Sequence, residues 1–455
     1  MEMELTALHW IYVVFIALII GFMVKRRDTT LICIIGIFLL ALVATGSLAS
    51  SVSGIFNSFI FAITELMSTI LIISIIVAMS TVLTRSGIND VMIAPFAKFI
   101  KNPTLAFWVI GIVMMIISWF FWPSPAVALL GAVLLPVALR AGLPALGVAM
   151  AMNLFGHGIA LSGDFIIQAA PKLTGDAASI PVGDVIAASI PLVITMGVVT
   201  TISAFILLKR DMKLGRIKAA DNEGIIPDQT ISEDLLTLGQ KKFFAVFIPI
   251  AFLLDVVALS VLKLQGGDAT ALVGGTAVFI LLILSLVAHK QQGLEKSTAY
   301  LIQGFQFGFK VFGPVIPIAA FFYLGDSGFN QIIGDYLPKT SLGIVNDLGA
   351  ALAASVPLTK EIAAVTLTGI GAITGLDGSG FSGISLAGSV AKLFGTAIGS
   401  GTATLTALGQ ITAIWVGGGT PPSTKNISCV YRKTQKSTAR INSVGPLIIP
   451  SAYSR

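Results

Sequence analysis

Long uncharged runs, each about the length needed to cross a lipid bilayer, dominate the chain. A hydrocarbon core about 30 Å thick calls for roughly 20 apolar residues per helix, because lipid cannot satisfy backbone hydrogen bonds. Runs of this kind lie at 8–24, 29–50, 66–84, 104–122, 185–208 and 269–288. Residues 243–262 are interrupted only by Asp255, and 297–325 only by Lys310. Between 124–163 and 348–418 the chain stays apolar but is broken by glycine, proline and isolated charges. The pattern predicts an all-α polytopic membrane protein with about 10–12 membrane segments.

Loop charges then predict the orientation, since basic residues collect on the cytoplasmic side. Lys25, Arg26 and Arg27 follow the first run, and Arg85, Lys98 and Lys101 follow the third. Both groups read as cytoplasmic, which places the N-terminus outside. The most polar internal stretch, 209–242, holds seven basic and six acidic residues and reads as a cytoplasmic linker between two membrane halves. The expected divisions are 1–208, 209–242, 243–418 and a basic tail at 419–455.

Composition excludes the other broad classes. Only 11% of the 455 residues are charged and 55% are apolar, whereas soluble domains carry roughly 25% charged residues. Two cysteines and three histidines exclude a disulfide framework and a histidine-rich metal centre. The net charge of +6 resides in the tail, where Lys425, Arg432, Lys433, Lys436, Arg440 and Arg455 meet no acid. The remainder is neutral, so nucleic acid is not an expected partner. The acidic start, Met-Glu-Met-Glu, reads as preceding an uncleaved span in a multi-pass cell-membrane protein.

The two halves begin near residues 10 and 243, on opposite sides of the membrane. A proline-marked interruption recurs at the same offset, at Pro123-Ser124-Pro125 and at Pro357. Corresponding elements with opposite starting sides predict an inverted repeat with re-entrant hairpins and broken helices, a transporter architecture.

Candidate chemistry lies at the interruptions. Pro123 and Pro125 suit a helix restart with Ser124 as its cap, or else a kinked helix. In Asn153-Leu-Phe-Gly-His157-Gly-Ile-Ala-Leu-Ser162-Gly-Asp164, polar side chains end an apolar stretch. Asn153 and Ser162 are candidates for Na⁺ or substrate, Asp164 for a cation or an external loop, and His157 for proton coupling or a structural hydrogen bond. In the second half, seven glycines fall within residues 369–388. That density argues against a lipid-facing helix, since each glycine costs about 1 kcal/mol relative to alanine. Asp377, Ser379 and Ser382 sit in this stretch. Lys360, beside Glu361, is a candidate counter-charge for a carboxylate or an interfacial residue that snorkels. Thr402 and Thr404 follow among close-packing glycines. Glu65, the only charge between 29 and 84, reads as a coupling residue or as the external end of a helix starting at Leu66.

With these elements in place, the layout over about residues 8–418 resembles the ion transporter superfamily of carboxylate carriers. That group includes gluconate permeases, the large membrane subunit of tripartite dicarboxylate transporters, and citrate symporters. Asp326-Ser327-Gly328-Phe329 is similar to an element of gluconate permeases, although Gly325 stands where that family has Asn. The resemblance implies Na⁺- or H⁺-coupled uptake of an organic anion by an elevator-like movement. It also implies that hairpin tips near Ser124 and Ser379 meet substrate and ion. The implied partners are a small organic anion, the lipid bilayer and a second copy in a homodimer, with no cofactor beyond the coupling ion.

The tail departs from this pattern. The repeat offset places the partner of span 185–208 near 418–441, a window too polar for the membrane. It reads either as a basic tail attracted to anionic lipid or as an altered or truncated C-terminus. Two further functions were weighed against carboxylate transport. A cation/proton antiporter would use Glu65, Asp164, Asp255 or Asp377. An intramembrane enzyme has little support: there is no His-Glu-x-x-His, and Leu161-Ser-Gly-Asp164 lacks the first glycine of the aspartyl protease motif.

Overall fold

Helices begin where the sequence supplies a cap. Asn102 accepts a hydrogen bond from the Leu105 amide (2.8 Å), with Pro103 as the first helical residue, and so opens α5 (Pro103–Phe120). Thr237 and Gln240 form a capping box that opens α11 (Leu238–Leu262). Ser47 caps α3 (Leu48–Arg85), directly after Gly46 ends α2 (Thr30–Thr45) in the left-handed conformation.

The computed structural model describes residues 5–25, 27–217, 235–325, 328–355, 359–375, 381 and 383–419, apart from a few side chains that include those of Ser124 and Pro125. Among the described residues the chain is helical without strands. Seven helical stretches are long and apolar enough to cross a membrane. The outward faces of α10 (Val182–Lys213) and α11 carry exposed Ile194, Val198, Ile206, Val246, Leu253 and Val261, as expected where the solvent is lipid. The protein is an all-α polytopic membrane protein.

Two boundaries differ from the sequence reading. The third span does not start at Leu66: α3 runs unbroken for 38 residues, about 57 Å, with Glu65 inside it. The charge was mistaken for a boundary because residues 48–64 carry enough serine and threonine to look interfacial. Their hydroxyls bond back to the helix, as Ser58 does to the Gly54 carbonyl (2.7 Å). The central linker is also shorter than 209–242, since α10 continues to Lys213 and α11 starts at Leu238.

Two contacts organise the bundle. α12 (Gly267–His289) and α13 (Gly293–Phe312), joined by a short turn, pack along α3. The approach is close because Gly304 and Gly308 lie against Ser74. A Cβ on Gly304 would sit 2.0 Å from the Ser74 carbonyl oxygen. In the second half, α18 (Ile384–Ile398) and α19 (Thr402–Ile414) form an antiparallel hairpin. Its turn uses Gly399 (φ 75°) and Gly401 (φ 84°), a conformation side chains resist. α18 also packs on α9 (Ala169–Ala178) and on α16 (Ile344–Ser355), while α17 (Lys360–Thr374) packs on α19.

Candidate functional site

Helix breaks from both halves meet at one place. α5 ends at Phe120, and α6 (Pro123–Arg140) restarts at Pro123, as the prolines predict. The Trp122 ring between them lies 5.2 Å from that of Phe381, in the interruption between α17 and α18. Phe381 in turn lies 6.2 Å from Phe312. Phe312 ends α13, which gives way at Gly313-Pro314 to α14 (Val315–Tyr323). The end of α5, the end of α13 and Phe381, which precedes α18, therefore share one aromatic contact. The N-termini of α6 and α18 flank it within a few residues, each bringing a positive dipole end, although Pro123 and Pro125 carry no N–H and the Ile384 amide already donates to the Phe381 carbonyl (3.4 Å).

The backbone next to this contact is irregular as well. α7 (Ala145–Met152) passes into a π-helical segment, Asn153–Ala160, before the three-residue α8 (Leu161–Gly163). α19 likewise ends in a π-helical segment, Trp415–Gly419, and the two π segments pack against each other. The Trp415 ring covers Gly158, where a Cβ would meet it at 2.7 Å. Gly418 lies against His157, and Gly375, at the edge of the second interruption, lies against Val416 and Gly417. π-helical turns recur at functional sites because they displace backbone groups from the regular ladder.

Among the polar atoms buried here without a hydrogen-bond partner are the Ser118 hydroxyl near the end of α5, the Asn153 side-chain oxygen and His157 Nδ1. Ser118 sits beside Gly156, and Asn153 and His157 lie about one π-helical turn apart. An unsatisfied buried group of this kind costs about 1–3 kcal/mol.

The other expected residues divide into groups. Ser162 is fully buried, but its hydroxyl donates to the Ile159 carbonyl (3.3 Å) and is already used. Its own carbonyl accepts from Gln410 Nε2 (2.9 Å), and Gln410 Oε1 accepts from the Thr174 hydroxyl (2.5 Å). Asp164 is buried rather than in an external loop. With φ 41° it bends its carboxylate onto the start of α9, where Oδ2 accepts from the Ala170 amide (2.9 Å). The same break is held from outside by Gln168, whose Oε1 accepts from the Gly266 amide (2.7 Å).

Ser124 does not cap α6. Pro123 is the first helical residue, so the cap position falls on Trp122 and Ser124 lies two positions too late. Thr402 and Thr404 open α19, about 20 Å along the helix from Trp415, and Thr404 is exposed, so neither joins the convergence. Lys360 and Glu361 are both exposed at the start of α17, which fits the snorkelling alternative rather than a buried counter-charge. Asp377, Ser379 and Ser382 lie outside the described residues, as do Asp326, Ser327, Pro357 and the tail from residue 420.

Sequence reasoning missed Gln410, Trp122 and Phe381. It also missed a second polar constellation. His9 Nε2 donates to Asp347 (3.1 Å), with both residues essentially inaccessible. Asp347 also accepts from the Ser341 hydroxyl and the Leu342 amide (3.1 Å). Because His9 Nδ1 accepts from the Thr6 amide (3.1 Å), the ring carries its proton on Nε2. The constellation ties α1 (Ala7–Val24) to α16.

No family model matches the chain, and no solved structure matches it. A curated relative does. The uncharacterized membrane protein YhfA of Bacillus subtilis (strain 168) is 59% identical over 420 residues, covering 92% of this chain and 90% of that one. Identity at this level over nearly the whole of both proteins means that the chain belongs to the membrane-protein family of YhfA.

Proposed function

We propose that the protein is a secondary active transporter, not an enzyme, that moves a small organic anion such as a carboxylate or sugar acid with Na⁺ or H⁺. The observation that carries this reading is the meeting of Trp122 and Phe381, which brings helix interruptions from both halves to one point. Irregular backbone inside a bilayer is tolerated only where protein or a water-filled cavity surrounds it. Two positive helix ends there favour an anion. Ser118 and His157 add buried polar atoms that can donate to a carboxylate, while the Asn153 oxygen, an acceptor, suits a substrate hydroxyl or the coupled Na⁺. His157 is the candidate carrier of a coupled proton, because an imidazole nitrogen can both accept and release one. The resemblance to carboxylate carriers supports the same substrate class and an elevator-like movement.

The test is uptake by purified protein in proteoliposomes. Labelled gluconate, citrate and succinate are offered under an inward Na⁺ gradient or an inward proton gradient. Concentrative uptake of at least one, driven by one of the gradients and lost in Trp122→Ala, is expected. Cation exchange that proceeds without any organic solute would instead favour an antiporter.

A further inference from the structure

A polar cavity lies away from the convergence, beside the turn between α9 and α10. Its volume is about 310 Å³, and its walls include Phe61 and Glu65 of α3, Asp176 and Ser179 of the turn region, and Tyr323 of α14. The start of α10 is about 48 Å along that helix from its C-terminal end at Lys213, so the cavity lies at the opposite end of that helix.

Three features of the wall point to one ligand chemistry. Asp176 is already neutralised by Lys172, four residues earlier on α9 (2.5 Å), whereas Glu65 has no ion pair among the described residues. The Tyr323 hydroxyl is the second feature. The residue is 8% exposed, it faces the cavity, and its oxygen has no hydrogen-bond partner. Both carboxylates lie close enough to act on that hydroxyl electrostatically. The third is aromatic: Phe61 meets Tyr323 edge-to-face at 5.5 Å, and Phe322 completes the wall. Lys392 does not line the cavity; its ammonium is bonded to the Ser179 hydroxyl (2.9 Å).

We propose that this cavity binds a small organic ammonium group. A carboxylate without a counter-ion, a phenol oxygen without a donor and ring faces are the groups that recognise such a cation. A bare metal ion fits poorly. The volume is that of about ten water molecules, and no group of three or more metal-ligating side chains occurs among the described residues. The ammonium N–H groups donate to Glu65 and to Tyr323 Oη while the carbon substituents lie on Phe61 and Phe322. The inference goes beyond the proposed transport activity and does not depend on it. A free amine and the headgroup of an ethanolamine lipid share this chemistry.

The experiment is binding to the purified full-length chain in detergent, followed by calorimetry and thermal stabilisation. The probes are ethanolamine, n-butylammonium, NaCl and KCl, and in a parallel arm nanodiscs with and without phosphatidylethanolamine. Saturable binding of an ammonium probe is expected, with affinity at least tenfold lower in Glu65→Gln and several-fold lower in Tyr323→Phe. The latter removes only the hydroxyl and keeps the packed ring, so it remains informative should the charge change impair folding. Preference for the ethanolamine lipid, erased by the same substitutions, supports the site and identifies the headgroup as its source. Response to Na⁺ or K⁺ alone, or ammonium binding that both variants leave unchanged, overturns the proposal.

Discussion

Gln410 is the residue whose replacement tests the arrangement of the two halves most directly. It is fully buried on α19 and bonds the first half twice, to the Ser162 carbonyl and the Thr174 hydroxyl. Gln410→Leu keeps the size and removes both bonds, at about 1 kcal/mol net each. The Thr174 hydroxyl retains the Ala170 carbonyl as acceptor (2.9 Å) and adds little. The Ser162 carbonyl, in a break with no spare donor at hand, adds about 1 kcal/mol for its lost partner. The expected loss is therefore about 3 kcal/mol, read from reversible unfolding in mixed micelles. Thr174→Val, combined with Gln410→Leu in a double-mutant cycle, should return a coupling of about 1 kcal/mol. Stability of Gln410→Leu within about 0.5 kcal/mol of wild type, or strict additivity in the cycle, would refute this placement of α19.

Three further outcomes are expected. Asp347→Ala leaves the buried His9 Nε2–H without an acceptor and should cost about 1–3 kcal/mol; the double replacement with His9→Ala should cost less than the sum of the two single changes, by the same unfolding measurement. Gly158→Ala places a methyl group 2.7 Å from the Trp415 ring. It should destabilise by about 1–3 kcal/mol through forced separation of the π segments, and circular-dichroism melting reads the shift. Trp122→Ala should abolish proteoliposome uptake while Thr404→Ala, exposed and remote, leaves it near wild type at equal insertion. Equal effects of the two would count against the convergence as the transport site.

The parts of the fold that local chemistry decides were legible in the sequence. Uncharged runs marked α1, α5, α10 and α12, and the absent amide of Pro123 marked the restart of α6. Glycine density marked the interruption before α18. The misreadings share one cause: hydropathy registers a charge or hydroxyl but not what answers it. Glu65 looked like a helix end because a carboxylate in lipid is costly, yet α3 turns that residue toward a polar cavity. Lys360 reads either as a buried counter-charge or as an interfacial residue because its neighbours are apolar, and it opens a helix whose first turn is exposed.

The site residues missed altogether owe their roles to separations that no local window spans. Gln410 meets partners 236 and 248 positions away, and His9 meets Asp347 across 338. Read alone, Gln410 is one amide in an apolar helix, a position that would cost about 2 kcal/mol or more if unanswered. That cost is itself the signal available from sequence. A lone polar residue in the middle of a membrane helix demands a partner from another helix, and the irregular stretch ending at Ser162 and Asp164 is where backbone carbonyls come free. The same reasoning inverts at Ser118, Asn153 and His157, where partners are missing after the whole fold is in place. Polar groups that folding consumes hold the two halves together, whereas those it leaves over are the ones with hydrogen-bond energy still to gain from a partner.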